Sequence, residues 1–100
     1  MAKEQLRILL VDDHEVVRDG VKALINGGDG LIVVAEAGSV REAIDQAMRT
    51  KPDVVVMDVR LADGSGIEAT REIRARLEKT QVLMLTSFAD DEALFASIPG

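Results

Sequence analysis

Four short apolar runs, each closed by polar or turn-forming residues, constrain this chain more than any other feature. The most telling is Val54-Val55-Val56-Met57, which runs straight into Asp58. Pro52-Asp53 precedes it and the glycine-rich Asp63-Gly64-Ser65-Gly66 follows shortly after. A run this short between turn signals reads as a strand buried on both faces. Leu6-Arg7-Ile8-Leu9-Leu10-Val11, Leu31-Ile32-Val33-Val34-Ala35 and Val82-Leu83-Met84-Leu85 follow the same pattern.

Helical spacing fills the intervals. From Glu15, Val17, Val21, Leu24 and Ile25 recur at i, i+4, i+7 and i+8 and are expected on one buried face. Gly20 within that helix costs roughly 1 kcal/mol against alanine, which points to close packing there. Asn26-Gly27-Gly28-Asp29-Gly30 ends the helix with residues that tolerate positive φ. Ser39 with Glu42, and Ser65 with Glu68, have capping-box spacing at the starts of a second and a third helix. Val40, Ala43, Ile44, Ala47 and Met48 line the second, which Lys51-Pro52-Asp53 closes. Ile67, Thr70, Ile73, Arg74 and Leu77 define the third, with Arg71, Glu72, Arg76 and Glu78 on its wetter side. A last helix, capped by Asp90 or Asp91, runs through Leu94, Phe95 and Ile98 to Pro99-Gly100. Strands alternating with helices specify an α/β fold: a parallel sheet covered on both faces with right-handed crossovers.

The bulk numbers narrow the class. With 100 residues there is one domain at most, able to bury roughly 65% of its unfolded surface. Only Phe88 and Phe95 are aromatic, so the core is aliphatic. A net charge of −6 argues against nucleic acid as a direct partner of this segment. The absence of cysteine excludes disulfides and thiolate metal sites and fits a cytoplasmic protein. No stretch reads as a signal peptide or a membrane span.

In a parallel sheet all strands end on one edge, where open α/β sheets place their ligand crevices. Three of the four strands end there in Asp12-Asp13, Asp58 and Thr86-Ser87. Clustered carboxylates repel unless a cation joins them, and Mg2+ favours a few carboxylates with water and phosphate oxygens. An Asp nucleophile with such a metal gives aspartyl-phosphate chemistry, with the Thr86 hydroxyl on a phosphoryl oxygen. Singly, each of these residues reads as a turn or helix cap; it is the combination that points to chemistry. His14, the only histidine, reads as an exposed residue at the start of the first helix and not as a ligand, and Met48, Met57 and Met84 as core.

LLVDDHEVVRDGVKALI, DVVVMDVRLADGSGIEATREI and VLMLTSF resemble the receiver domains of bacterial two-component response regulators. The VDDHEVVRDG and LTSF wording is most similar to the NarL/FixJ subfamily, whose members usually continue into a LuxR-type DNA-binding domain. The resemblance covers essentially the whole chain, residues 1–100, as one receiver domain without an output domain. It implies a flavodoxin-like (CheY-like) doubly wound parallel sheet of strand order 2-1-3-4(-5). It also implies a phosphorelay function: Asp58 accepts a phosphoryl group from a sensor histidine kinase, with Mg2+ as cofactor and no classical enzyme activity. By position, Asp13 matches the direct metal ligand, Asp12 the acid acting mainly through water, the Arg60 carbonyl a third protein ligand with Asp58, and Thr86 the switch hydroxyl. Ala89 falls where the family keeps a small residue near the acyl phosphate.

Two departures matter. Ala62 stands where the family commonly has proline. The sequence stops at Pro99-Gly100, before the family's fifth strand and helix, and so lacks the lysine that pairs with the phosphoryl group and the aromatic residue that couples Thr86 to the signalling face. The expectation is an exposed edge at Val82–Leu85, an apolar patch on the first helix, and self-association as a dimer. That makes a non-switching interaction module the alternative function. An Asp-nucleophile phosphatase of the haloacid-dehalogenase type wants a second acid where Arg60 stands, and Asp12-Asp13 occupies the place of a dinucleotide-binding glycine loop.

Overall fold

A computed structural model describes residues 5–85. In chain order the elements are β1 (Leu6–Val11), α1 (Glu15–Asn26), β2 (Leu31–Ala37), α2 (Val40–Thr50), β3 (Val54–Asp58), β4 (Arg60–Leu61), β5 (Gly64–Ser65), α3 (Gly66–Arg76) and β6 (Gln81–Leu85). The helix expected beyond residue 90 lies outside the described residues.

The main sheet is parallel with order β2-β1-β3-β6, the expected 2-1-3-4 arrangement of the flavodoxin-like fold. A two-residue antiparallel hairpin, β4–β5, is the one pairing absent from the expected pattern; it closes the loop after Asp58. Alternation along the central strands splits the core in two. Leu9, Val11, Val55 and Met57 face α2 and α3, where Ala43, Ala47, Ala69 and Ile73 pack. Ile8, Leu10 and Val56 face α1 and meet Val21 and Ile25. Small alanines on the α2 and α3 faces let those helices come close to an aliphatic sheet.

Three expectations about helices change. α1 buries no residue fully, and Leu24 is 79% exposed, as Val21 and Ile25 turn the contact stripe away from it. Gly20 is not a close-packing site, because a Cβ there would meet nothing within 4 Å. In α3 the buried stripe is Gly66, Ala69 and Ile73, while Ile67 is 55% exposed.

The caps also differ in detail. Gly27 ends α1 in a right-handed conformation, and the positive φ comes three residues later at Gly30. Ser39 Oγ accepts from Glu42 N at 3.1 Å, but the Glu42 carboxylate accepts from Gly38 N rather than Ser39 N, so that box is half formed. The Ser65–Glu68 box closes reciprocally, as expected. At the other end of α2, Arg7 Nη1 donates to the Thr50 and Lys51 carbonyls, tying β1 to the helix C-terminus.

Coverage is uneven. β1 and β3 are buried on both faces, whereas along β6 residues alternate and Leu83 (56%) and Leu85 (42%) are exposed on the α1 side. Among the described residues no strand pairs with the outer edge of β6, and no helix is long and apolar enough to cross a membrane.

Candidate functional site

Register builds the site. Val11 pairs with Met57, so the next residues of the two strands, Asp12 and Asp58, emerge side by side at the carboxyl edge. Asp13 follows in the turn into α1. Asp58, Asp12, Asp13 and His14 each offer a ligand atom, and all four atoms lie within 4.8 Å of one another. The trans ligands of an octahedral Mg2+ stand about 4.2 Å apart, so the three carboxylates suit such an ion in size and hardness, whereas the His14 imidazole is a softer donor.

Each acid is held differently. Asp58 is 4% exposed, and its Oδ1 lies 3.4 Å from the Arg60 N–H that donates to it. Burial pushes its carboxyl pKa up, and the charges of Asp12 and Asp13 push it the same way. Asp12 N donates to Ala37 O at 3.0 Å, and Asp12 Oδ1 accepts from His14 N at 2.8 Å, closing a local turn. Arg18 Nη1 donates to the Asp12 carbonyl at 2.7 Å while its Nε stands 3.3 Å from Glu36 Oε1, so α1 and β2 both brace the acidic turn.

His14 keeps its expected place and adds a contact that the sequence does not show. It is the N-cap residue of α1 and exposed, as its sequence position suggests, but its Nδ1 lies 3.0 Å from Asp12 Oδ1 and 2.9 Å from Asp13 Oδ1. Its pKa is raised, first by the hydrogen bond to Asp12 and then by the charge of Asp13.

Arg60 lies in β4, in the hairpin, exposed and two residues after Asp58. Thr86 and Ala89 lie outside the described residues; β6 brings Leu85, the residue before Thr86, alongside Asp58. Three residues escape a reading of the sequence. Arg18 supports Asp12, Gly66 packs against Asp58, and Asp63 reaches across from the hairpin to α2. Gly66 alone carries a sequence signal, since glycine is a poor choice for the first residue of a helix that is otherwise well capped.

Comparison with known proteins agrees with this geometry. Residues 8–98 match the family model of the response regulator receiver domain. The chain is 47% identical over 93 residues to the DNA-binding transcriptional activator DevR/DosR of Mycobacterium tuberculosis, covering 93% of this chain and 43% of that protein. It is 40% identical over 93 residues to the response regulator protein VraR of Staphylococcus aureus, covering 93% and 44%. A crystal structure of a LuxR-family two-component response regulator from Aurantimonas sp. SI85-9A1 superposes with a TM-score of 0.80 at 44% identity, over 93% of this chain and 67% of that one. The chain thus spans less than half the length of the curated relatives it matches. A parallel sheet of this order, an acid cluster at its carboxyl edge and a family match across nearly all of the sequence agree, and the chain belongs to the response regulator receiver domain family.

Proposed function

We propose that this domain accepts a phosphoryl group on Asp58 from a sensor histidine kinase, with Mg2+ held by Asp12, Asp13, Asp58 and the Arg60 carbonyl. The observation that carries this reading is the convergence of a buried Asp58 with Asp12 and Asp13 within 4.8 Å. An Asp58 carboxylate oxygen attacks phosphorus; the bond from phosphorus to the kinase histidine breaks as the acyl phosphate bond forms. When bound, Mg2+ supplies charge neutralisation for the transferring group. The chain's own part is to keep Asp58 out of bulk water, to orient one of its oxygens through Arg60 N, and to converge the two further acids on it. Thr86 serves as the switch hydroxyl that turns toward the phosphate. The domain works in the cytoplasm, is not a classical enzyme beyond its own phosphorylation and dephosphorylation, and controls a DNA-binding output domain, as the description of DevR/DosR suggests. The test is phosphorylation by acetyl phosphate with Mg2+, read by intact mass. The wild type gains one phosphoryl group and Asp58→Asn gains none; equal labelling of both sinks the reading.

A second reading has its own observation. Among the described residues no strand pairs with the outer edge of β6, and Leu83 and Leu85 are exposed there, which suits a module that self-associates through this strand. Sedimentation of wild type and Leu83→Lys separates the two. A dimer that this substitution dissociates while phosphorylation persists makes β6 an interface of a working receiver. A dimer with no phosphorylation makes the chain a non-switching interaction module.

A further inference from the structure

The two halves of the acidic site come from different segments, one braced by the end of β2 and the other by the start of α2. On one side, Asp12 N donates to Ala37 O at 3.0 Å, and the Arg18 guanidinium that holds the Asp12 carbonyl lies against Gly38, where a Cβ would stand 2.8 Å from Arg18 Nη1. On the other side is the β4–β5 hairpin. Asp63, at its tip, sends its carboxylate across to a helix more than twenty residues earlier in the chain: Oδ1 accepts from Val40 N at 2.6 Å and Oδ2 from Arg41 N at 3.3 Å.

These two N–H groups open α2 and have no partner within the helix. Ser39 Oγ takes the Glu42 N–H, so the helix's own cap leaves Val40 and Arg41 to Asp63. The contact is seated by shape as well. A Cβ on Gly64 would stand 3.2 Å from Val40 Cγ2 and 2.9 Å from Glu68 Oε1, so the hairpin tip has no room to ride higher on the helix.

The hairpin carries this anchorage toward Asp58. Leu61 pairs with Gly64 and Arg60 with Ser65, and Leu61 is buried in the larger core. Two rungs therefore separate the clamp at Asp63 from Arg60, whose N–H faces Asp58 Oδ1. We propose that Asp63 is a positioning residue: by clamping the hairpin onto the start of α2, it fixes the Arg60 backbone relative to Asp58 and the Asp12–Asp13 turn, and so sets the affinity of the site for a divalent cation. The proposal rests on the reading of Asp12, Asp13 and Asp58 as the Mg2+ site.

The test is Mg2+ titration by calorimetry on the 100-residue chain, with thermal unfolding of each variant measured without metal. Asp63→Ala weakens Mg2+ binding by about tenfold, the low end of what outer-shell substitutions cost. Asp63→Asn, which keeps the side-chain shape and one acceptor oxygen, recovers part of the loss and tests the same point in a minimally altered chain. Ser39→Ala removes a different cap from the same helix end; it lowers the unfolding temperature with Mg2+ affinity unchanged, which separates positioning of the hairpin from stabilisation of α2. Wild-type affinity in both Asp63→Ala and Asp63→Asn, or an equal loss in Ser39→Ala, overturns the clamp provided that Asp13→Ala abolishes binding. If Asp13→Ala leaves binding intact, the metal site itself is misassigned and the clamp falls with it.

Discussion

Gly66 packs against the backbone of Asp58 so closely that a Cβ on it would overlap the Asp58 carbonyl oxygen, with Met57 Cγ only 2.9 Å away. The approach is further tied by the Gly66 N–H, which donates to Val59 O at 2.7 Å. Gly66→Ala therefore cannot be accommodated by a rotamer change, because the obstacle is backbone. It should cost about 1–3 kcal/mol, the range of overpacked cores, read as a lower urea midpoint at unchanged slope. The same variant should bind Mg2+ more weakly, since relieving the overlap separates the start of α3 from the strand end that carries Asp58.

Gly20 predicts the opposite sign. It lies inside α1, is exposed, and a Cβ there would meet nothing within 4 Å. Gly20→Ala then gains helix propensity without a steric cost and should stabilise the chain by roughly 0.5–1 kcal/mol, measured in the same urea experiment.

The brace behind Asp12 predicts a pH dependence. Glu36 accepts from Lys22 Nζ at 2.8 Å and stands 3.3 Å from Arg18 Nε. Its pKa is lowered below the usual 4.5, chiefly by the hydrogen bond from Lys22, against the opposing effect of burial. A depressed acid stabilises the fold above its unfolded value and loses that contribution as pH falls through the folded value. Lys22, raised above 10.5 by the same hydrogen bond, loses its contribution only as pH rises through its folded value. Wild type should thus melt above Glu36→Gln at pH 7, and the gap should shrink as the pH is taken below about 4.5 and Glu36 is protonated. A gap independent of pH would show that the packing of Glu36, and not its charge, supports the turn.

Much of this arrangement is written in the chain's local pattern. Each strand is a run of apolar residues, and Asp12, Asp13 and Asp58 immediately follow or end such runs, so the acid cluster follows from parallel strand direction, whereas the sheet order was legible only through the family resemblance. The tertiary supports are not written there. Asp63 beside Gly64 looks like an ordinary turn residue, and only the fold brings it to Val40 and Arg41. Arg18 donates to a carbonyl, and a backbone partner leaves no mark in a pattern of side chains; Gly66 also meets a carbonyl, and only its being glycine hints at the contact. Helix orientation was ambiguous for a related reason. α1 has more apolar residues than its contact with the sheet uses, so periodicity offered Leu24 and Val17 as readily as Val21 and Ile25.

α3 shows how that ambiguity is decided, and it gives the sharpest mutational contrast. Ile67 and Ile73, six residues apart, lie about 120° apart around the helix, and the apolar pattern alone offers either as core. The N-terminal anchor breaks the tie. Ser65 caps the helix, and Gly66 must face the Asp58 backbone, which leaves the Ile67 side chain to point outward. From that start, Ala69 and Ile73 come round to the sheet and are fully buried beside Val55, Met57 and Ala43. Ile73→Ala should cost about 2–5 kcal/mol through lost burial and a cavity. Ile67→Ala, at an exposed site, should fall within roughly 0.5 kcal/mol of wild type. Urea midpoints of the two variants at equal slope measure both values. Equal destabilisation would mean that α3 is rotated about its axis, and with it that Gly66 does not lie against Asp58.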